Sequence, residues 1–123
     1  MRYVDGFVLP VSTKNLKAYK KMAQEGGKMW IKHGALHYIE CIGNDLTSAS
    51  EWGALSFPKM TGAKKGETVM YSFIIYKSKK HRDQVNKKVM KQMEKDKEKY
   101  EGKKMPFDMK RMACGGFKTI VDL

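Results

Sequence analysis

Both ends of the chain read as β-strands, and that placement limits the topologies open to everything between them. Tyr3-Val4-Asp5-Gly6-Phe7-Val8-Leu9 stands near the start, and Gly115-Gly116-Phe117-Lys118-Thr119-Ile120-Val121 at the end. Residues 3–11 alternate, yet leave neither face polar. Tyr3, Phe7, Leu9 and Val11 share one side with Asp5, while Val4, Gly6, Val8 and Pro10 take the other. A strand apolar on both faces has to be covered on both. Glu67 to Tyr76 is the strongest strand, with Val69, Tyr71, Phe73 and Ile75 set against Met70, Ile74 and Tyr76, and it is predicted to be central. Ala35 to Gly43 forms another, with Leu36, Tyr38, Glu40 and Ile42 on one face and His37, Ile39 and Cys41 on the other.

Two helices are expected between these strands. Ser12 or Thr13 is placed to cap the first. Leu16, Tyr19, Ala23, Gly26 or Gly27, and Trp30 follow at helical spacing as one buried stripe. The glycine pair weakens that helix by roughly 1 kcal/mol per residue. Close packing on the sheet explains the pair, with a kink as the alternative. Gly34 is expected to end the helix. Ser78 caps the second helix, predicted to reach about Tyr100, with Val85, Val89 and Met93 as its buried stripe and His81 at one end. The polar stretch 44–56, with Trp52 in it, reads as a long loop. Phe57-Pro58-Lys59-Met60 is expected to add a short edge piece, and residues 102–111 an ordered loop or a single turn.

The order β-α-β-β-α-β is the split βαβ, or ferredoxin-like, arrangement. At 123 residues it makes one α+β domain spanning 1–123, with a four-stranded antiparallel sheet. The right-handed crossover rule puts both helices on one face. The other face is left bare and apolar, which a soluble monomer does not tolerate. A homodimer packed sheet against sheet is therefore predicted.

Charge and cysteines narrow the function classes. The net charge is +12, and residues 77–104 hold 12 Lys/Arg against 5 Asp/Glu, a local +7. A basic helix of this kind is one route to nucleic acid or another polyanion. Two features favour a solvated face instead. Arginine, the bidentate phosphate ligand, is scarce. Glu94, Asp96, Glu98 and Glu101 are also interleaved with the lysines as in i,i+4 pairs. No apolar stretch is long enough to cross a bilayer. Asp5 and Gly6 interrupt any signal-peptide core, so a cytoplasmic protein without a membrane partner is expected. Cys41 and Cys114 lie far apart, form no CxxC, and read as small buried hydrophobes rather than a disulfide, on opposite sheet edges. Phosphate-loop, dinucleotide and Ser-His-Asp patterns are absent.

His33, His37 and Cys41 recur every four residues, but Gly34 breaks the helix that would stack them. On a strand His37 and Cys41 stand about 13 Å apart, too far for one metal. No metal or cofactor is predicted. Asp5 and Glu40 are the better candidates. Each is a carboxylate on an otherwise apolar strand face, where burial demands a partner or a raised pKa. Arg82 and Arg111, two of three arginines, are the expected partners. Asp83 suits the first turn of its helix. Gly115-Gly116 is read as a tight helix crossing, with room for a ligand as the alternative.

Several stretches also resemble the YbaA-like bacterial family of unknown function. They are residues 1–11, His33-Gly34-Ala35-Leu36 with Tyr38, Glu40 and Cys41, then Tyr76, Ser78, His81-Arg82-Asp83, Val85-Asn86 and Lys88-Val89-Met90. Met105-Pro106-Phe107-Asp108, Lys110-Arg111-Met112 and Gly115-Gly116-Phe117 complete the set. His37, where a glutamate is expected, and the lysine load over 87–104 depart from the pattern. The family in turn resembles dimeric α+β barrels, which include small heme-degrading and quinol-forming monooxygenases and stress-responsive proteins. The resemblance agrees with the homodimer and supplies no activity, since the family has none assigned; the first reading is a small-molecule-binding barrel of monooxygenase-like type. A pocket between helices and sheet or inside the dimer barrel is expected, lined by Phe7, Tyr38, Tyr71 and Phe73, with Asp5, Glu40, Arg82 or Arg111 as polar anchors. A basic module for nucleic acid and a structural or stress-related dimer without ligand are the alternatives.

Overall fold

The computed structural model describes residues 1–123. Its elements are β1 (Tyr3–Ser12), α1 (Leu16–Lys32), β2 (His37–Ile42), α2 (Phe57–Thr61), β3 (Glu67–Tyr76), α3 (Lys79–Lys95), α4 (Lys97–Tyr100) and β4 (Ala113–Lys118). The strands form one sheet in the order β2-β3-β1-β4, with every neighbouring pair antiparallel. This is the ferredoxin-like βαββαβ topology, with two long helices and two short ones.

Register sorts the side chains onto two faces. Asp5 pairs with Ile74, Phe7 with Ser72 and Leu9 with Met70, so these residues share the face that α1 and α3 cover. Tyr38 and Glu40 lie on that same face, opposite Ile74 and Ser72. The core there is split in two. One cluster gathers Met29, Ala35, Ile74, Tyr76, Val85 and Val89. The other gathers Leu9, Val11, Tyr19, Ala23 and Met70. The opposite face carries Val4, Val8, Ile39, Tyr71, Phe73, Ile75 and Phe117. No long helix covers it, and Ile39, Tyr71 and Phe117 are exposed.

Several local expectations need correction. Neither Ser12 nor Thr13 caps α1 with its side chain; a 3-10 turn over Thr13–Asn15 leads into it. Phe57–Met60 is helical rather than an edge strand. Ser56 accepts a hydrogen bond from the Lys59 amide, and Pro58 sits in the first turn, where its missing N–H costs nothing. This short α2 lies against β1 and β3, where Pro10 and Val69 are buried as a cross-strand pair. The second long helix breaks at Asp96, and α4 carries it on to Tyr100. Ser78 does cap α3, accepting from the His81 amide. Gly34 follows α1 with φ of +113°, as a helix-ending glycine should. Of the glycine pair only Gly27 meets the sheet: a Cβ there would stand 2.6 Å from Tyr38 Cδ1, while Gly26 faces open space.

Candidate functional site

The gap between the two core clusters is the candidate site. It is a cavity of about 410 Å³ bounded by β1, β2, β3, β4, α1 and α3. Leu9, Tyr19, Met22, Phe107 and Met112 reach it from one cluster; Phe7, Trp30, Tyr38 and Ile74 reach it from the other. Mostly apolar walls with a few convergent polar groups are what small-molecule sites look like. Here the polar groups come from two carboxylates.

Asp5 is almost fully buried on β1. Arg82 on α3 reaches back to it, with Nη1 3.0 Å from Oδ1. The same guanidinium bonds Asp83 through Nε and lies over the Tyr3 ring, 4.9 Å from its centroid. Tyr3 in turn occupies the space above Gly116, where any Cβ would collide with its ring. Gly116 thus admits Tyr3, Tyr3 seats Arg82, and Arg82 holds Asp5. The neighbour that demands a glycine is a cross-strand tyrosine, not the expected helix crossing. Asn86 Oδ1 accepts from Trp30 Nε1 at 3.1 Å and from the Tyr76 hydroxyl at 3.3 Å, beside Asp5. Burial pushes the Asp5 pKa up, and the Arg82 charge opposes that only in part.

Glu40 is built differently. No lysine or arginine pairs with it. Its two oxygens accept from two phenols, Tyr19 at 3.0 Å and Tyr38 at 2.9 Å. Burial raises its pKa despite these bonds and the neighbouring Ser72 hydroxyl. Both tyrosines are pushed up in turn, by burial and by the adjacent carboxylate, so they stay protonated donors. From the register, Asp5 and Glu40 are two strands apart and offset by two residues, about 12 Å between Cα atoms. Both carboxylates line the cavity.

The predicted residues divide accordingly. Asp5, Phe7, Tyr38, Glu40 and Arg82 meet around the cavity. Tyr71 and Phe73 do not: they pack on each other, 5.7 Å between ring centroids, on the helix-free face. Arg111 is also elsewhere. It clamps Glu67 with bonds of 2.6 and 2.9 Å and bonds the Gly62 carbonyl, and it holds the Glu67 pKa down to about 2. His33 turns to Gln92, away from His37 on the opposite face. Sequence reasoning missed Tyr19, Ser72, Asn86 and Trp30 as polar members of the site. A serine alone in a strand apolar on both faces was the available signal. On the basic helix, the interleaved acids make a single ion pair, Glu94 with Lys97, so most of its lysines stand free in solvent.

The profile described as "Protein of unknown function (DUF1428)" matches residues 2–109. The chain belongs to this family. It is 38% identical over 122 residues to the "Uncharacterized protein YbaA" of Escherichia coli (strain K12), covering 99% of each chain, and equally to that of Shigella flexneri. The resemblance drawn from the motifs is thus confirmed at family level. Among solved structures, the "De novo designed protein Foldit4" aligns over 97% of this chain and 99% of its own, with a TM-score of 0.46 and 9% identity. No helix of the protein is long and apolar enough to cross a membrane.

Proposed function

We propose that the protein is a homodimer that binds a small aromatic molecule carrying hydroxyl groups, in the cavity between the helices and the sheet, and that Glu40 is its general base. The observation that carries this reading is the Glu40 carboxylate itself. It is a half-buried acid without a counter-cation, raised in pKa and aimed with two phenols into an apolar cavity. A base with its pKa raised toward neutrality takes a proton most effectively at neutral pH. A phenol or quinol bound between Glu40 and Asp5 gives its proton to Glu40, and the Tyr19 and Tyr38 hydroxyls are the donors beside the resulting anion. Ionising such a ring would be the first step of monooxygenase-like chemistry on a quinol. The second copy covers the helix-free face. Two free, exposed cysteines suit a reducing compartment, so we place the protein in the cytoplasm.

The probe is 4-nitrophenol, whose anion absorbs visible light. Titrated with wild type below its own ionisation range, it should bind saturably and show the phenolate band. Glu40→Gln should bind the probe in its neutral form, without the band. Absence of saturable binding, or a phenolate band of equal size in both proteins, would contradict the assignment.

A further inference from the structure

A second space lies outside the cavity, along the flank of α1. It is an open groove of about 850 Å³ between α1 and β2. Tyr19, Tyr38 and Glu40 border both spaces, so the groove is the far side of the same partition. Its chemistry is different. Leu16, Ala23, Ile31, Ile42 and Met70 make an apolar bed, and Lys20, Lys28 and Lys32 rise along the rim. None of the three lysines is in an ion pair.

We infer that this groove binds a free medium-chain aliphatic carboxylate. Charge complementarity and the order of the residues along α1 support this occupant. α1 and β2 run in opposite directions, so the Leu16 end of the helix meets Ile42, while Ile31 and Lys32 lie toward the start of β2. The more apolar end of the groove is therefore Leu16, Ile42 and Met70, with the single charge of Lys20 on the rim beside it, and the more cationic end is the pair Lys28 and Lys32. Glu40 lies between, so a carboxylate head is repelled from the middle and held at the Lys28–Lys32 end. A flat membrane surface does not match the bed, because Tyr19, Ala23 and Met70 are buried at its floor while Ile31 and Ile42 stand at its edge. Ile31 and Ile42, each about half-exposed, are the residues that such a chain would cover.

The test uses the whole protein with saturated fatty acids of eight to twelve carbons, kept below their micelle concentrations, and calorimetric or fluorescence titration. Binding should be saturable, and each added methylene should tighten it by up to about fourfold. The alkylamine of matching length should bind at least about tenfold more weakly, since its charge is repelled rather than attracted. A Lys28→Glu, Lys32→Glu double variant should weaken the acid about fivefold or more, and raised salt should do the same. Ile42→Asp should weaken it about tenfold while circular dichroism and the melting temperature report an intact fold. Because Glu40→Gln leaves the rim and tail end unchanged, a failure of the phenol assignment does not touch this one. Equal affinity for acid and amine, unchanged binding in the lysine variant, no saturable binding, or binding only to anionic vesicles would each overturn the inference.

Discussion

At Gly27 a methyl group would enter the Tyr38 ring, whereas one residue earlier it would meet nothing. The two glycines sit side by side in one helix, so propensity is the same for both and only the neighbour differs. Gly26→Ala should stabilise the protein by about 0.5–1 kcal/mol, through the loss of unfolded-state freedom. Gly27→Ala should destabilise it by about 1–3 kcal/mol, the usual cost of overpacking. Urea unfolding of the two variants checks this, and effects of the same sign would contradict the close approach of α1 to β2. Glu40 gives a pH-dependent counterpart. Its folded pKa is raised above the ordinary value of 4.5. Folding therefore favours the protonated acid. That contribution is full below the ordinary value and is lost as pH rises through the raised one. Glutamine is neutral throughout. The stability of wild type relative to Glu40→Gln should be greatest near pH 4 and fall toward pH 8; a difference that does not change with pH would contradict the burial argument.

Between elements, the tie that matters most to the cavity is Arg82 of α3 with Asp5 of β1. Removing the arginine leaves a buried carboxylate without its cation, whereas removing the charge of the acid leaves an arginine that still has Asp83 and partial access to water. Arg82→Ala should therefore cost about 3 kcal/mol and Asp5→Asn distinctly less. Equal losses in denaturant unfolding would mean that the pair does not bear the strand–helix contact. The strand faces were legible in the sequence because alternation has a period of two, and the positions of Asp5 and Glu40 follow from it directly. Arg82 was legible as a cation of the right reach at the start of a helix that had to cross β1. The partner of Arg111 was not, because Glu67 lies 44 residues away and only the tertiary fold brings it near. Nor was the short helix at Phe57–Thr61, whose apolar residues and proline also suit an edge strand. Tyr19 was visible only as an apolar member of its helical stripe; its hydroxyl acquires a role once Glu40 is seen beneath it.

At the scale of the whole molecule, the two faces of the sheet ask for different things. The helix side carries the cavity, partly open to solvent. The other side leaves Ile39, Tyr71 and Phe117 exposed beside Val4, Val8, Phe73 and Ile75, with only α2 at one end. Both cysteines are exposed rather than buried as expected, because each stands on an edge strand: Cys41 shares the open face with Tyr71, while Cys114 is on the helix side near the cavity. A second copy seated sheet to sheet would shield Cys41 and leave Cys114 free to react, so alkylation of the native protein should label Cys114 first. A stable pair buries about 1,600 Å² in all. A lysine in place of Phe73 or Tyr71, both of which point away from the helices, would put charges in the middle of that interface. The most direct measurement is sedimentation equilibrium of the parent protein and of Phe73→Lys at micromolar concentration. The parent should sediment at twice the chain mass of 14.1 kDa and the variant at once that mass or as an unfolded chain. A parent that sediments as a clean monomer would contradict the account that a second copy covers the helix-free face.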